Sequence, residues 1–407
     1  MQGLLYLTHR IPFPPNKGDK IRSFHLLQHL SKRYRIYLGT FVDDEKDWRY
    51  AQEVKSYCQA SCLVPLNPVA ARLRSLPALL GNQPLTLAYY RNRQLQRWVE
   101  ETLQKEAVQD AVVFSAAMAQ FLSRAAHIRR IIDFVDVDSD KWQQYALSKA
   151  WPFNWLYRRE SACLLDYERK VASEFDSATF VSEKEAGLFK QLAPEAAHKT
   201  TFFNNGVDTD FFSPAENYAN PYPVGARPLV FTGAMDYWAN IDAVNWFAHA
   251  IFPKIRTRMP QAVFYIVGAR PAKSVQALAD LPGVTVTGGV KDIRLYLQHA
   301  WIAVAPLRIA RGIQNKVLEA MAMQKPVVAS LQAMEGINAV PDEELCVAEN
   351  AEQFVEQVHA LLEAHARRTT IGLAARNRVL QAYNWSHSLA RIDALLEDGH
   401  SSKTRNE

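Results

Sequence analysis

The chain has 407 residues, 48% of them hydrophobic, and this length favours two domains over one. Its net charge of +5 comes from the first half: residues 1–205 hold 28 Lys and Arg against 22 Asp and Glu, whereas the remainder holds 19 against 20. The sequence has no apolar run of membrane-spanning length, no cleavable signal pattern and only four cysteines, too few for a disulfide framework, so we expect a cytoplasmic protein. The excess positive charge fits an anionic partner, and it fits a mixed solvated surface equally well.

Apolar segments of strand length alternate with helical segments, a pattern typical of parallel sheets covered by helices. In the first half the predicted strands cover residues 4–8, 35–41, 111–115, 129–136 and 177–182. In the second half they cover 228–233, 262–268, 284–288, 301–307 and 326–330, with helices near 240–256, 291–299 and 312–323. Residues 204–228 are rich in Asn, Pro and Gly and predict a linker. We therefore predict an α/β protein with two Rossmann-like domains.

Two such domains suggest a nucleotide ligand, but the familiar fingerprints are missing. No strand is followed by G-x-G-x-x-G, and no G-x-x-x-x-G-K-[ST] occurs, which argues against a dinucleotide dehydrogenase and a P-loop NTPase. The loop after the first strand, HRIPFPPNKGDK, still places Gly18 at the start of a predicted helix, where backbone amides can face a ligand. A simple turn glycine is the alternative.

The segment DFVDVDSDKW contains two carboxylates two residues apart, Asp136 and Asp138. Such a D-x-D pattern can hold a divalent metal in sugar-nucleotide enzymes, because two carboxylates can share a hard cation. At the end of a predicted strand, Asp136 projects into a cleft, where an acceptor hydroxyl or loop amides are the favoured partners. We therefore predict no metal site.

The segment APLRIARGIQNKVLEAMAMQKPVVAS, residues 305–330, places charged residues at the mouth of a buried strand-helix-strand unit. Ligands of open parallel sheets lie beyond the carboxyl ends of the strands, and Arg308 and Arg311 directly follow such a strand. The next polar residues share one helix face at i, i+3, i+4 and i+7: Gly312, Asn315, Lys316 and Glu319. The helix N-terminus and these cations favour a diphosphate, and the Glu319 carboxylate suits the two hydroxyls of a ribose. A surface pair of Lys316 and Glu319 is the alternative.

The run NKVLEAMAMQKPVVAS resembles the donor-site signature of family 4 glycosyltransferases, which are retaining enzymes of the GT-B fold. The resemblance implies that Glu319 binds the donor ribose and that the amides of Gly312 and Ile313 meet the diphosphate. The family's first glutamate falls at Arg311, so the chain departs from the pattern where that glutamate approaches the donor sugar. The segment TGGVKDI resembles the loop that contacts the nucleobase through its backbone, which implicates Val290.

The resemblance covers nearly the whole chain. It implies an acceptor-binding domain at 1–208, a donor-binding domain at 209–383 and a helix at 384–398 that crosses back to the first domain; we expect residues 399–407 to be disordered. Three segments, RIPFPPNKGDKIRSFHLL, DFVDVDSDKW and APLRIARGIQNKVLEAMA, together resemble the glycosyltransferases of bacterial PEP-CTERM/exosortase exopolysaccharide loci. That likeness implies a lipid-linked saccharide acceptor at the inner face of the cytoplasmic membrane.

These observations favour a sugar transferase of the hexosyltransferase type that uses a nucleotide-diphosphate sugar and needs no cofactor. Arg311 is the candidate cation for the leaving diphosphate, and Asp136 is the candidate base or acceptor ligand, ahead of His9 and His25. A nucleotide-sugar epimerase or hydrolase of the same fold, and a non-catalytic nucleotide-sugar-binding protein, remain alternatives.

Residues 148–160, SKAWPFNWLYRRE, combine aromatic rings with Arg158 and Arg159. Such a composition suits a lipid interface, where rings lie among the headgroups and guanidinium groups meet phosphates. Peripheral contact with an anionic membrane and packing within the first domain are the two interpretations.

Overall fold

The computed structural model describes residues 1–15, 18–123, 125–147, 149–310 and 312–403, with side chains up to residue 397. The chain forms two compact units. The first contains residues 1–204 and the chain from Leu389 onward, and the second contains residues 205–388. These boundaries lie four and five residues from the positions 208 and 383 predicted from the sequence.

The first unit is a parallel sheet with strand order β3-β2-β1-β4-β5-β6-β7. Its strands are β1 (Gln2–Thr8), β2 (Tyr34–Val42), β3 (Ala60–Pro65), β4 (Val108–Phe114), β5 (Arg129–Val135), β6 (Ser177–Phe180) and β7 (Thr200–Phe202). Its helices are α1 (Gly18–Leu30), α2 (Ala51–Ser56), α3 (Pro68–Ser75), α4 (Leu85–Tyr90), α5 (Arg93–Lys105), α6 (Asp138–Leu147), α7 (Phe153–Glu174) and α8 (Glu183–Leu192).

Continuous apolar runs place β1 and β4 at the centre of this sheet, because a strand covered on both faces needs apolar residues at every position. Leu5 is fully buried and lies between Tyr37 of β2 and Ala111 of β4. A buried ion pair crosses this core, since Nε of Arg22 in α1 donates to Oδ2 of Asp133 in β5 at 2.7 Å. The core therefore fixes α1 against the middle of the sheet.

The second unit is also a parallel sheet, with order β10-β9-β8-β11-β12-β13. Its strands are β8 (Arg227–Thr232), β9 (Ala262–Val267), β10 (Val284–Gly288), β11 (Ile302–Ala305), β12 (Val327–Ala329) and β13 (Cys346–Val347). Its helices are α9 (Trp238–Trp246), α10 (Phe252–Arg258), α11 (Lys273–Gln276), α12 (Arg294–His299), α13 (Asn315–Ala322), α14 (Leu331–Met334), α15 (Ala351–Glu363) and α16 (His365–Ala382). A π-helical turn, Phe247–Ile251, joins α9 to α10 where Pro253 follows and interrupts the α-helical hydrogen bonding.

The last helix, α17 (Trp385–Lys403), belongs to the first unit from Leu389 onward. Asp393 accepts from Nε2 of His29 at 2.9 Å, and Ile392 is fully buried. The helix extends through residues 399–403, so the predicted disordered tail began too early; residues 404–407 lie outside the described part of the chain. No helix within the described residues is both long and apolar enough to cross a bilayer.

Candidate functional site

The second sheet has a topological switch point between β8 and β11. From β8 the chain proceeds outward to β9 and β10 on one side, and then crosses to β11 and β12 on the other. The loops that follow β8 and β11 therefore separate and leave a crevice at the carboxyl edge, which is where open α/β sheets bind ligands. Gly233 follows β8, and Pro306 follows β11.

Lys316 lies at this edge, in the first turn of α13. Its ammonium donates to Oδ1 of Asn240 on α9 and lies 4.3 Å from the ring centroid of Phe231. Gly233 leaves room for this contact: a Cβ there would lie 2.8 Å from Nδ2 of Asn240 and 3.1 Å from Nζ of Lys316, and its φ is +156°. The buried Asn240 is held in turn, because its Nδ2 donates to the Ala234 carbonyl at 2.8 Å.

Two acceptor groups beside Lys316 receive no hydrogen bond from the described residues. Among the described residues, none donates a hydrogen bond to the half-buried carboxylate of Glu319, one turn further along α13. Oδ1 of Asn315, the first residue of α13, is buried and also has no partner. Buried polar atoms are normally satisfied, so the unsatisfied Asn315 oxygen indicates a ligand that donates a hydrogen bond there, and the half-buried Glu319 carboxylate beside it is open to the same ligand. We call Gly233, Asn240, Asn315, Lys316 and Glu319 the α13 cluster.

Burial shifts both ionisable groups of the α13 cluster toward neutrality. It lowers the pKa of Lys316 to about 7, although the Glu319 carboxylate favours the charged ammonium. Burial likewise raises the pKa of Glu319 to about 7, against the opposing effect of Lys316. Each group is poorly hydrated where it lies, so a charged ligand that compensates for the lost water would bind strongly.

The loop between β11 and α13 is anchored from its other side. Oγ of Ser330, at the end of β12, donates to the Leu307 carbonyl at 2.5 Å. Gly312 has φ +61°, a left-handed conformation that glycine adopts without strain, and the following Ile313 is buried. The loop is therefore held at Leu307 and again at Ile313, just before α13 begins. Arg311, the candidate catalytic cation, lies outside the described residues.

Arg308 does not join the α13 cluster. Its guanidinium forms a bidentate ion pair with Asp242 on α9, and this pair raises the pKa of Arg308. Asp242 and Asn240 are two residues apart, so they point to nearly opposite sides of α9, and Arg308 and Lys316 contact different sides of that helix. For Arg308 to reach a diphosphate beside Lys316, the ion pair with Asp242 would have to open.

The loops after β9 and β10 complete the same edge. The Gly268 amide donates to the Gly288 carbonyl at 3.2 Å, and the Met235 amide donates to the Ala269 carbonyl at 2.9 Å. Val290 follows in the third loop and packs, half-buried, against the core of the second unit. Backbone groups from three successive loops therefore line this edge beside the α13 cluster.

In the first unit, Asp136 follows β5 after Val135, which has φ +72°. Two buried glutamates hold the next residues: Glu185 accepts from the Val137 amide at 2.8 Å, and Glu168 accepts from Oγ of Ser139 at 2.5 Å. These contacts hold the chain directly after Asp136, which is itself half-buried. No group of three His, Cys, Asp or Glu side chains within the described ranges is arranged to hold a metal.

The other first-unit candidates have structural neighbours. His9 follows β1, stacks on Phe114 at 5.7 Å and has Nε2 at 3.5 Å from Asp19. His25 lies on α1, and Gly18 begins that helix. A Cβ at Gly18 would meet no atom within 4 Å, so no close contact within the described residues requires glycine there.

Asn240 and Gly233 are functional candidates that sequence reasoning missed. Their segment, FTGAMDYWANIDAVNWF, carries no basic residue that would draw attention to it as a phosphate site. The available signal was a glycine directly after a strand, followed by a polar residue on an otherwise apolar helix.

Residues 226–364 match the model of the family described as Glycosyl transferases group 1. The matched segment includes the whole α13 cluster and the loops beside it. A search of curated proteins finds no match to the chain.

Solved structures resemble the chain over nearly its full length. Sucrose-phosphate synthase from Thermosynechococcus elongatus is 16% identical with a TM-score of 0.69, and the match covers 99% of this chain and 100% of that one. HepE from Anabaena, in complex with UDP, is 14% identical with a TM-score of 0.67 and coverage of 97% and 100%. WaaG, a glycosyltransferase involved in lipopolysaccharide biosynthesis, is 14% identical with a TM-score of 0.66 and coverage of 97% and 99%. The predicted α/β class and GT-B fold are confirmed.

Proposed function

We propose that the protein is a glycosyltransferase that takes its sugar from a nucleotide-diphosphate sugar. The observation that carries the proposal is the α13 cluster at the switch point of the second sheet. It combines a lysine, a carboxylate that accepts no hydrogen bond from the described residues and a buried amide oxygen without a donor among them. The family match over residues 226–364 supports the same activity.

Each part of a nucleotide diphosphate has a complementary group at this edge. Lys316 and the free amides at the start of α13 bind the diphosphate, and the Glu319 carboxylate accepts hydrogen bonds from two ribose hydroxyls. The backbone of the loop at Val290 contacts the base. The structures of HepE in complex with UDP and with UDP-glucose, 14% and 13% identical to this chain, support such a ligand.

The chemistry that we propose is a retaining transfer. The bond between the anomeric carbon and the diphosphate oxygen breaks, and a bond to the acceptor oxygen forms on the same face of the sugar. The acceptor hydroxyl releases its proton to the departing diphosphate oxygen, while Arg311, Lys316 and the α13 amides stabilise the negative charge. These groups supply the charge that a metal would otherwise supply. Asp136 orients the acceptor; in the alternative in which Asp136 takes the acceptor proton, the diphosphate leaves unprotonated.

The proposed acceptor is a lipid-linked saccharide of bacterial exopolysaccharide assembly. The enzyme binds this acceptor at the inner face of the cytoplasmic membrane. Support comes from the resemblance of three segments to PEP-CTERM/exosortase-associated transferases. The structural likeness to WaaG, a glycosyltransferase involved in lipopolysaccharide biosynthesis, is compatible with such an acceptor.

Incubation of the full chain with radiolabelled nucleotide sugars and a bacterial membrane extract tests the proposal. Label in the lipid fraction that disappears in Glu319→Ala, and persists in the exposed control Glu356→Ala, supports transfer. Epimerised or hydrolysed free sugar indicates the alternative enzyme class. Tight nucleotide-sugar binding without turnover across the donor panel indicates a binding protein.

A further inference from the structure

The surface of the first unit exposes an apolar stripe on α3 and on the 3₁₀ turn that follows it. One face of α3 is packed inward, since Ala71 is 1% exposed and Ser75 is 6% exposed. The outer side carries apolar side chains beside the exposed Arg72 and Arg74. Its exposed residues are Val69 (66%), Leu73 (63%), Leu76 (51%) and Leu80 (94%). A surface helix normally turns polar residues to water, so this stripe indicates a partner.

A second exposed apolar group lies where α6 turns into α7. Trp151 is 80% exposed and Trp155 is 55% exposed, and Leu147 and Phe153 beside them are also exposed. The guanidinium of Arg159, one turn after Trp155, donates to the carbonyls of Ala78 (2.6 Å) and Gly81. These hydrogen bonds attach the start of α7 to the 3₁₀ turn that carries Leu80.

Both groups lie on segments that follow strands at the carboxyl edge of the first sheet. Helix α3 starts just after β3 ends, and α6 starts just after β5 ends. Helix α7 has 22 residues and leads back to β6. Its length of roughly 33 Å exceeds by about 10 Å that of the seven-residue β5, so we expect the start of α7, at Phe153, to extend beyond the edge.

The sequence around both groups is basic and lacks carboxylates. Residues 54–99 contain six Lys and Arg and no Asp or Glu, and residues 141–159 contain four Lys and Arg and no Asp or Glu. The whole chain, by comparison, has 47 basic and 42 acidic residues. Such separation of charge creates a local positive field around the exposed apolar side chains.

We propose that these two groups form one docking surface for an anionic lipid bilayer, which we call the α3/α7 surface. Exposed leucine and tryptophan side chains enter the interfacial layer, while arginines such as Arg72, exposed beside Leu73, meet lipid phosphates. A nucleic-acid partner would bind the cations through its phosphates and would leave the exposed leucines without an apolar contact. This docking surface rests on the membrane-borne acceptor of the proposed function, but vesicle binding needs no transferase activity, so the two proposals can fail separately.

Sedimentation of the full chain with sucrose-loaded vesicles tests the α3/α7 surface. We expect binding to vesicles of three parts phosphatidylcholine to one part phosphatidylglycerol, weak binding to phosphatidylcholine alone, and release by salt. The double variants Leu73→Ser/Leu80→Ser and Trp151→Ser/Trp155→Ser should each lower the partition coefficient by at least about tenfold. Arg72→Gln should lower it roughly fivefold.

The matched control is Leu373→Ser/Leu380→Ser on α16, which changes leucines that are 46% and 39% exposed in the second unit. This variant should bind vesicles like the unmodified chain, and all variants should keep its circular dichroism spectrum. Equal vesicle binding by the α3/α7 variants and the control would overturn the proposal. So would self-association without vesicle binding, because the surface would then join two copies of the chain.

Discussion

Glu319→Gln separates a ligand-binding role of the α13 cluster from a structural role. The substitution keeps the shape of the side chain and removes its charge. Because no described residue donates to this carboxylate, the change deletes no protein hydrogen bond, and α13 should keep its place. The substitution should therefore change the affinity for nucleotides and the pH dependence of the free energy of unfolding.

The loss of affinity follows from two hydrogen bonds to ribose hydroxyls. A hydrogen bond to a charged group contributes about 1.5 to 3 kcal/mol, and the glutamine retains one neutral acceptor oxygen. We expect Glu319→Gln to cost about 2 kcal/mol of binding free energy, roughly 30-fold in Kd, and Glu319→Ala to cost about 3 kcal/mol.

The same substitution should stabilise the unliganded protein at alkaline pH. Burial raises the folded-state pKa of Glu319 to about 7 from an ordinary value of 4.5, so the folded protein binds a proton that the unfolded chain has released. The free energy of unfolding therefore falls as pH rises from 4.5 through 7. Glu319→Gln removes this penalty, and we expect a gain of about 1 to 2 kcal/mol at pH 8 and none at pH 4, a figure reduced for the partial exposure of the site.

Isothermal titration calorimetry with UDP, GDP and ADP measures the first effect, and urea unfolding at pH 4 and pH 8 measures the second. Glu356→Gln, an exposed carboxylate on α15, is the matched control and should change neither quantity. Unchanged nucleotide affinity in Glu319→Gln, or a loss of stability at pH 8, would refute the ligand-binding role and restore a structural one.

Three further predictions concern the α13 cluster. Nucleotide affinity should be greatest near pH 7, because the Glu319 carboxylate is lost below that pH and the Lys316 ammonium above it; a flat calorimetric profile from pH 5 to pH 9 would contradict the assignment. Asn240→Ala removes the acceptor that holds Lys316 and should weaken nucleotide binding by about 1 to 2 kcal/mol in calorimetry, with α-helical content unchanged in circular dichroism. Gly233→Ala should lower the free energy of unfolding by about 1 to 3 kcal/mol and weaken binding, because its Cβ would displace both Asn240 and Lys316. Gly289→Ala, whose Cβ would lie 3.6 Å from Ala269, is its control in thermal melts and should be tolerated.

The sequence predicted the central strands of both sheets and one edge strand, β10. Central parallel strands such as β1 and β8 are covered on both faces and appear as continuous apolar runs. The strands that were missed lie at or near the edges. β3 alternates exposed and buried residues, and β7 and β13 have three and two residues, too few for a periodic signal. The equally short β12 was predicted because it lies within the apolar segment 326–330.

The sequence predicted the part of the candidate site that depends on residue spacing along one helix. Spacing along α13 placed Lys316 and Glu319 on one face, and the structure finds them together at the sheet edge. The partner of Lys316 lies on α9, 76 residues away, and no local pattern identifies such a pair. The ion pair of Arg308 with Asp242 was missed for the same reason, because it depends on how α9 packs beside the β11 loop.

Because Arg308 is paired with Asp242, another group must neutralise the charge of a bound diphosphate. With Arg308 paired to Asp242, Lys316 is the remaining described cation among the sequence-predicted donor residues of the second unit. Burial leaves Lys316 only partly protonated near pH 7, and a bound diphosphate would raise its pKa by supplying the opposite charge. Nucleotide binding above pH 7 should therefore take up a proton. Calorimetry in two buffers of different ionisation enthalpy measures that proton directly, and its absence would mean that the diphosphate is neutralised by a group other than Lys316.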